Sequence, residues 1–316
     1  MSARIFIDGE VGTTGLQIRA RLENRADIEI VSLSEANRKD AGARRDMLNS
    51  VDLAILCLPD DAAREAVAMI ENPDVKVIDA STAHRVADGW AYGFPELNGD
   101  QSAVIAASKR VSNPGCYAVA SISMLNPLVS AGLLPADHGV SINAISGYSG
   151  GGKQLIANFE DKSSDGYTEA PYFVYGLGLE HKHVPEIRAH GGLSKQPLFV
   201  PSVGRFAQGM LVQLPLHLWS LPSSPSAKDV HGVLAAHYAG SAFVKVADMA
   251  DSAKMTQVQA EDANGTNDLR LSVFANDDAG HPVVMAQLAT LRTGASGSRV
   301  HTLNLLLACD EPPALC

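Results

Sequence analysis

Apolar positions in the first third of the chain come in short runs that alternate with amphipathic stretches. Ala3-Arg-Ile-Phe-Ile-Asp8 has the composition of a strand and runs directly into Gly9-Glu-Val-Gly12-Thr-Thr-Gly15. A Pro-free mixed stretch from Leu16 to Glu23 follows, long enough for a short helix. Strand-like runs recur at Ile28–Leu33, Val51–Leu58 and Val75–Asp79. Between the last two, Ala63, Ala66, Val67 and Ile70 fall at i, i+3, i+4 and i+7, which predicts a helix from Asp60. Strands and helices alternating at these spacings build βαβ units on a parallel sheet. The first third therefore reads as a doubly wound nucleotide-binding domain.

The rhythm changes after about Cys116. A long helical pattern through Ala118, Ile122, Leu125 and Val129 leads into strand-like runs at 140–145, 198–203, 211–216, 270–274 and 283–288. Few helices are predicted between these runs, one of them around 228–238, so a mixed or antiparallel sheet is expected. A last helical pattern spans 299–308, with Val300, Leu303 and Leu307 on one face.

Composition and charge narrow the picture. With 316 residues, 46% apolar and 19% charged, the chain has material for a sizeable core and for two domains or one large α/β unit. A net charge of −10 argues against nucleic acid or an anionic membrane as the main partner. It does not exclude an anionic small substrate, which helix termini and local basic residues can hold. No run reaches transmembrane length and no signal peptide precedes Ala3, so a cytoplasmic location is expected. Cys57 sits in an apolar run and reads as core; Cys309 and Cys316 carry no signal; no Cys-x-x-Cys pair suggests zinc or dithiol chemistry.

Four constellations could carry chemistry. Gly9, Gly12 and Gly15, with Thr13 and Thr14 between them, lie between a strand and a helix, where the backbone can approach a pyrophosphate. The segment after the second strand offers Ser34 and Arg38 beside Glu35 and Lys39, which suits a 2′-phosphate and favours NADP over NAD. In Ser112-Asn113-Pro-Gly-Cys-Tyr117 the helical pattern opens at Cys116 itself, so the helix dipole would favour a thiolate there. His181-Lys-His183-Val-Pro-Glu186 supplies imidazoles for proton transfer and a carboxylate to orient them or the substrate. Metal ligation and plain surface histidines are the competing readings of that pair, although no third ligand cluster accompanies it. Ser146, Ser149, Gly150 and Lys153 form an anion-binding candidate, and Arg205 is a second.

These pieces, in this order, resemble the N-acetyl-γ-glutamyl-phosphate reductases, relatives of aspartate-semialdehyde dehydrogenase, in their shorter bacterial branch. The resemblance runs through the Gly9–Gly15 loop, Asp79-Ala-Ser81-Thr-Ala-His-Arg85, Tyr92-Gly-Phe-Pro-Glu-Leu97, Asn113–Tyr117, Ser146–Lys153, His181–Glu186, Gly204–Met210 and Gly294-Ala-Ser-Gly297. It implies a Rossmann-type doubly wound NADP domain over residues 1–115, completed by the C-terminal helix at about 295–316. It also implies an α+β glyceraldehyde-phosphate-dehydrogenase-like catalytic domain over 116–294. It makes Cys116 the nucleophile and His183 the preferred acid/base, with His181, Glu186 and Tyr175 supporting. Asn113 and the Ser146–Lys153 loop would serve the substrate, and Ser81, Gly294 and Gly297 the cofactor. The implied reaction is NADPH-dependent reduction of an acyl phosphate to an aldehyde, in arginine biosynthesis. Implied partners are that small-molecule substrate and further copies of the chain, as a homodimer or homotetramer. An aspartate-semialdehyde or aminoadipate-type dehydrogenase and a non-catalytic NADP sensor are the alternatives.

Overall fold

The computed structural model describes residues 2–289 and 298–307; Gly294, Gly297, Cys309 and Cys316 lie outside them. The described residues fall into two units, one of 2–95, 99–114 and 298–307, the other of 96–98 and 115–289. The first unit contains β1 (Ala3–Asp8), α1 (Thr13–Leu22), β2 (Ile28–Val31), α2 (Ala41–Asn49), β3 (Leu53–Leu56), α3 (Asp60–Ala68), β4 (Lys76–Asp79), β5 (Ala91–Tyr92), α4 (Gln101–Ala107) and β6 (Arg110–Ser112). Its six strands pair in the order β2-β1-β3-β4-β6-β5, and every pairing is parallel. All four residues of β3 are buried, as a parallel strand covered on both faces requires. The expected Val51–Leu58 run thus holds a shorter strand, with Cys57 half-buried beyond its end.

Helix α2 was invisible to periodicity because only Leu48 on it is buried; its other residues are small or charged, apart from the half-buried Met47 and Asn49. Its start is fixed by a cap: the Asp40 side chain accepts the Ala43 N–H at 2.7 Å.

The second unit contains α5 (Cys116–Ser130), β7 (Ser141–Gly147), α6 (Gly152–Glu160), β8 (Tyr172–Val174), α7 (Val184–His190), β9 (Leu198–Gly204), β10 (Met210–Pro215), α8 (Ala227–His237), β11 (Val244–Val246), α9 (Met249–Ser252), β12 (Leu269–Asn276) and β13 (His281–Leu288). These strands form a mixed seven-stranded sheet, β11-β12-β13-β10-β7-β9-β8. Parallel pairs β7·β9 and β11·β12 interrupt an otherwise antiparallel order. More helices separate the strands than the sequence suggests, since α6 and α7 both occur between β7 and β9. Helix α10 (Ser298–Leu307) belongs to the first unit, where it packs on α4 and β4.

Helix α5 is apolar on nearly all sides and packs against α7, α8, β10 and β13. It holds Pro127, which cannot donate to the carbonyl of Ser123 four residues earlier. The buried Tyr238 hydroxyl donates to that carbonyl at 3.0 Å, so the proline leaves no orphaned acceptor there. Among the described residues no helix is long and apolar enough to cross a membrane.

Candidate active site

Pro114 stops the extended chain after β6, and Gly115, extended at φ −76° and ψ 149°, is the N-cap of α5. Cys116 is thus the first helical residue, where the leading N–H groups have no carbonyl partner within the helix and the dipole is positive. No side chain within the cap segment closes this end. Glu186, 1% exposed in the first turn of α7, reaches it instead: its Oε2 accepts the Gly115 N–H at 3.1 Å.

The two histidines stand at the start of α7, with His183 as its N-cap. The His183 ring is buried and lies 4.7 Å from that of His181 and 6.0 Å from that of Tyr117. Nδ1 of His181 accepts the backbone N–H of His183 at 3.1 Å. A neutral His181 therefore carries its proton on Nε2, which faces the Tyr175 hydroxyl at 3.4 Å. Burial pushes Tyr175 up to about 12, and the neighbouring Cys116 charge acts in the same direction. Burial likewise raises Tyr117 far above the ordinary phenol range. Its hydroxyl is hydrogen-bonded to Ser146 Oγ at 2.9 Å and to the Ser202 carbonyl at 3.0 Å. Both tyrosines are neutral at physiological pH.

In the first unit the glycine loop follows β1. Gly9 has φ +89°, and a Cβ there would stand 2.4 Å from the Cys57 carbonyl oxygen. A Cβ on Gly15 would stand 2.4 Å from the Gly9 carbonyl oxygen, because α1 starts tight against the loop. Beside the loop is a cavity of about 370 Å³, lined by Asp8, Gly9, Glu10, Arg38, Lys39 and Arg44 among others. A bare backbone turn at a helix start with cations at its side fits the phosphates of a dinucleotide.

Two sequence models of one family match the chain in tandem: the semialdehyde dehydrogenase NAD binding domain over residues 4–105 and the semialdehyde dehydrogenase dimerisation domain over residues 116–289. The chain belongs to the semialdehyde dehydrogenase family. Among similar proteins are the N-acetyl-gamma-glutamyl-phosphate reductases of Brucella ovis and Brucella canis, each 52% identical over 308 residues, covering 97% of this chain and 99% of theirs. Similar solved structures include aspartate semialdehyde dehydrogenase from Francisella tularensis, with TM-score 0.70, 14% identity, and 96% of this chain and 100% of that one covered. Another is the Candida albicans enzyme with NADP, with TM-score 0.65, 14% identity, and 98% and 99% covered. At such identities the structural likeness speaks for the fold alone.

Within this family member the candidate residues fall into separate neighbourhoods. Cys116, Tyr175, His181, His183, Glu186 and Ser146 gather around the start of α5. The Ser149 hydroxyl donates to the Ala207 carbonyl, and the Arg205 guanidinium donates to the Thr168 carbonyl while lying 5.3 Å over the Phe159 ring. Gly150 lies within the short helical turn Tyr148–Gly151, and Lys153 is exposed in the first turn of α6. Asn113 is wholly buried in the first unit, where its backbone N–H donates to the Asp79 carbonyl at 2.7 Å.

In the glycine loop, Gly12 is the N-cap of α1 and Thr13 and Thr14 are its first two residues. Arg38 lines the cavity, whereas Ser34 is exposed and uses its carbonyl to accept the N–H groups of Asn37 and Arg38. The Ser81 hydroxyl donates to the buried Asp79 carboxylate at 2.6 Å, which also holds Nδ1 of His84 at 2.6 Å. Sequence reasoning gave no role to Tyr117, Ser202, Asp8 or Arg44. Tyr117 stands in the cysteine pentapeptide and was within reach of it; the other three depend on strand register and on helix α2.

Proposed function

We propose that the chain reduces N-acetyl-γ-glutamyl phosphate to N-acetylglutamate 5-semialdehyde and phosphate, with NADPH as reductant and a thioester on Cys116 as intermediate. The observation that carries this reading is Cys116 at the first position of α5, with Glu186 bonded to the N-cap and His183 beside it. The 52% identity to reductases of that name, over nearly the full length, supports the substrate. When bound, the dinucleotide supplies the hydride that converts the thioester to the aldehyde level.

The chain's own residues perform the remaining work. The Cys116 thiolate, favoured by the helix dipole, attacks the γ-acyl carbon; the C–S bond forms, the C–O bond to phosphate breaks and inorganic phosphate leaves. The N–H groups at the start of α5 are placed to stabilise the oxyanion of each tetrahedral species. After reduction, protonated His183 gives a proton to the thiohemiacetal oxygen. It recovers that proton as the C–S bond breaks and thiolate is released. His181 cannot easily share this task, because its Nδ1 is engaged by backbone and its Nε2 is the protonated position. It holds Tyr175 and the chain direction into His183. Copies of the chain associate through the second unit, which the family's dimerisation domain covers.

The test is NADP reduction in phosphate buffer, with N-acetylglutamate semialdehyde and aspartate semialdehyde assayed side by side. Faster turnover of the acetylated aldehyde is expected. A preference for aspartate semialdehyde would overturn the substrate assignment.

A further inference from the structure

Both carboxylates lining the cavity beside the glycine loop are already ion-paired. Asp8 Oδ2 accepts from Arg44 Nη2 at 2.8 Å and from its Nε at 3.3 Å, with the two side chains only 7% and 13% exposed. Glu10 Oε2 accepts from Arg19 at 2.7 Å and from the Ser32 hydroxyl at 2.9 Å. Glu35, the acid nearest the usual ribose-binding position after β2, is 88% exposed, pairs with Arg38 at 3.3 Å and does not line the cavity. Recognition of an unmodified adenosine ribose normally relies on a carboxylate that accepts its hydroxyls. Here each acid near that place is engaged by a guanidinium.

The cations are arranged in the opposite sense. Arg38, Lys39 and Arg44 all line the cavity. Among the described residues Lys39 has no ion-pair or hydrogen-bond partner, and Arg44 Nη1 has no hydrogen-bond partner. Arg44 lies near the start of α2, whose Asp40 cap fixes where the helix begins. A guanidinium presents its donors as a planar fork, and here Asp8 takes Nε and Nη2 and leaves the Nη1 end to a ligand. Holding the fork in place lowers the ordering cost of binding an anion.

We infer that Arg44, oriented by the buried carboxylate of Asp8, reads the 2′-phosphate of NADP and sets the preference for NADP over NAD, with Lys39 adding charge. The inference rests on the NADP reading proposed above and deepens it. Asp8 is a positioning residue in this account, and Arg44 touches the cofactor.

Fluorescence titration of the full-length protein with NADPH and with NADH, without substrate, tests it. For Arg44→Met the dissociation constant for NADPH should rise about tenfold or more while that for NADH stays within about twofold. Because this change leaves Asp8 buried without its partner, the double variant Asp8→Asn/Arg44→Met is measured alongside, with thermal melting to verify folding. It should show the same selective loss. Equal weakening of both cofactors, or unchanged NADPH binding, in a folded variant would overturn the role of Arg44 and leave the dinucleotide reading standing. Failure of the wild-type protein to bind either cofactor would overturn the dinucleotide reading itself.

Discussion

The backbone N–H of His183 donates to Nδ1 of His181 at 3.1 Å, so the two imidazoles of one short motif have different proton chemistry. His181 has its Nδ1 occupied by backbone, and His183 is the acid and base proposed above. His183→Gln should lower kcat by about 10²–10⁴-fold, the range for losing a general acid/base. His181→Asn, whose side-chain carbonyl can still take the His183 N–H, should lose much less. Steady-state kinetics on both variants checks this, and a greater loss in His181→Asn would reverse the assignment.

Glu186 Oε2 bonds the N-cap of the helix that begins with Cys116. A carboxylate so near a thiolate disfavours the charged thiol. Glu186→Gln keeps a hydrogen-bond acceptor and removes the charge, so the pH midpoint of Cys116 alkylation by iodoacetamide should move down. A midpoint that stays put or rises would show that Glu186 acts on the helix end without acting on the thiol.

The three loop glycines should not tolerate a methyl group equally. Alanine at Gly9 meets a positive φ and the Cys57 carbonyl at 2.4 Å; at Gly15 it meets the Gly9 carbonyl at 2.4 Å; at Gly12 the closest approach is 3.3 Å. Gly9→Ala and Gly15→Ala should cost about 1–3 kcal/mol of stability, and more than Gly12→Ala. Urea denaturation of the three variants gives the order, and Gly12→Ala as the most damaged would contradict the loop geometry.

Tyr175 is raised from 10.0 to about 12, so between those pH values the folded protein holds a proton that the unfolded chain has released. Stability therefore falls as pH rises through this window, and the contribution is fully present below it. Tyr175→Phe should flatten the fall in thermal midpoint measured from pH 9 to pH 11, values chosen to bracket the start of the window at 10.0. An unchanged slope would show that Tyr175 does not titrate in that range.

Much of the site was legible because its motifs are local. The glycine loop follows a strand, Cys116 opens a helix, and the histidine motif spans six residues, so spacing alone brought these candidate groups forward. The mixed order of the second sheet is set by contacts between distant segments such as Gly147 and Gly204, which periodicity does not encode. Helix α2 buries one side chain and so left no apolar stripe, which hid Arg44 and its partner Asp8. Ser149 and Arg205 stand out as anion-ligand candidates by residue type, but the backbone carbonyls their side chains also bond, of Ala207 and Thr168, are set by loop packing that spacing does not encode. Tyr117 shows the converse: its place on α5 follows from sequence, but its bonds to Ser146 and Ser202 need the packed sheet.

The central claim is that acyl transfer to Cys116 precedes reduction. It is tested most directly by mixing the protein with N-acetyl-γ-glutamyl phosphate in the absence of NADPH, then measuring intact mass, released phosphate and the modified peptide. The account predicts one N-acetylglutamyl adduct per chain on Cys116, an equal amount of phosphate, and neither with Cys116→Ser. No adduct on the wild-type protein under conditions where added NADPH supports turnover, or an adduct on another residue, would contradict it.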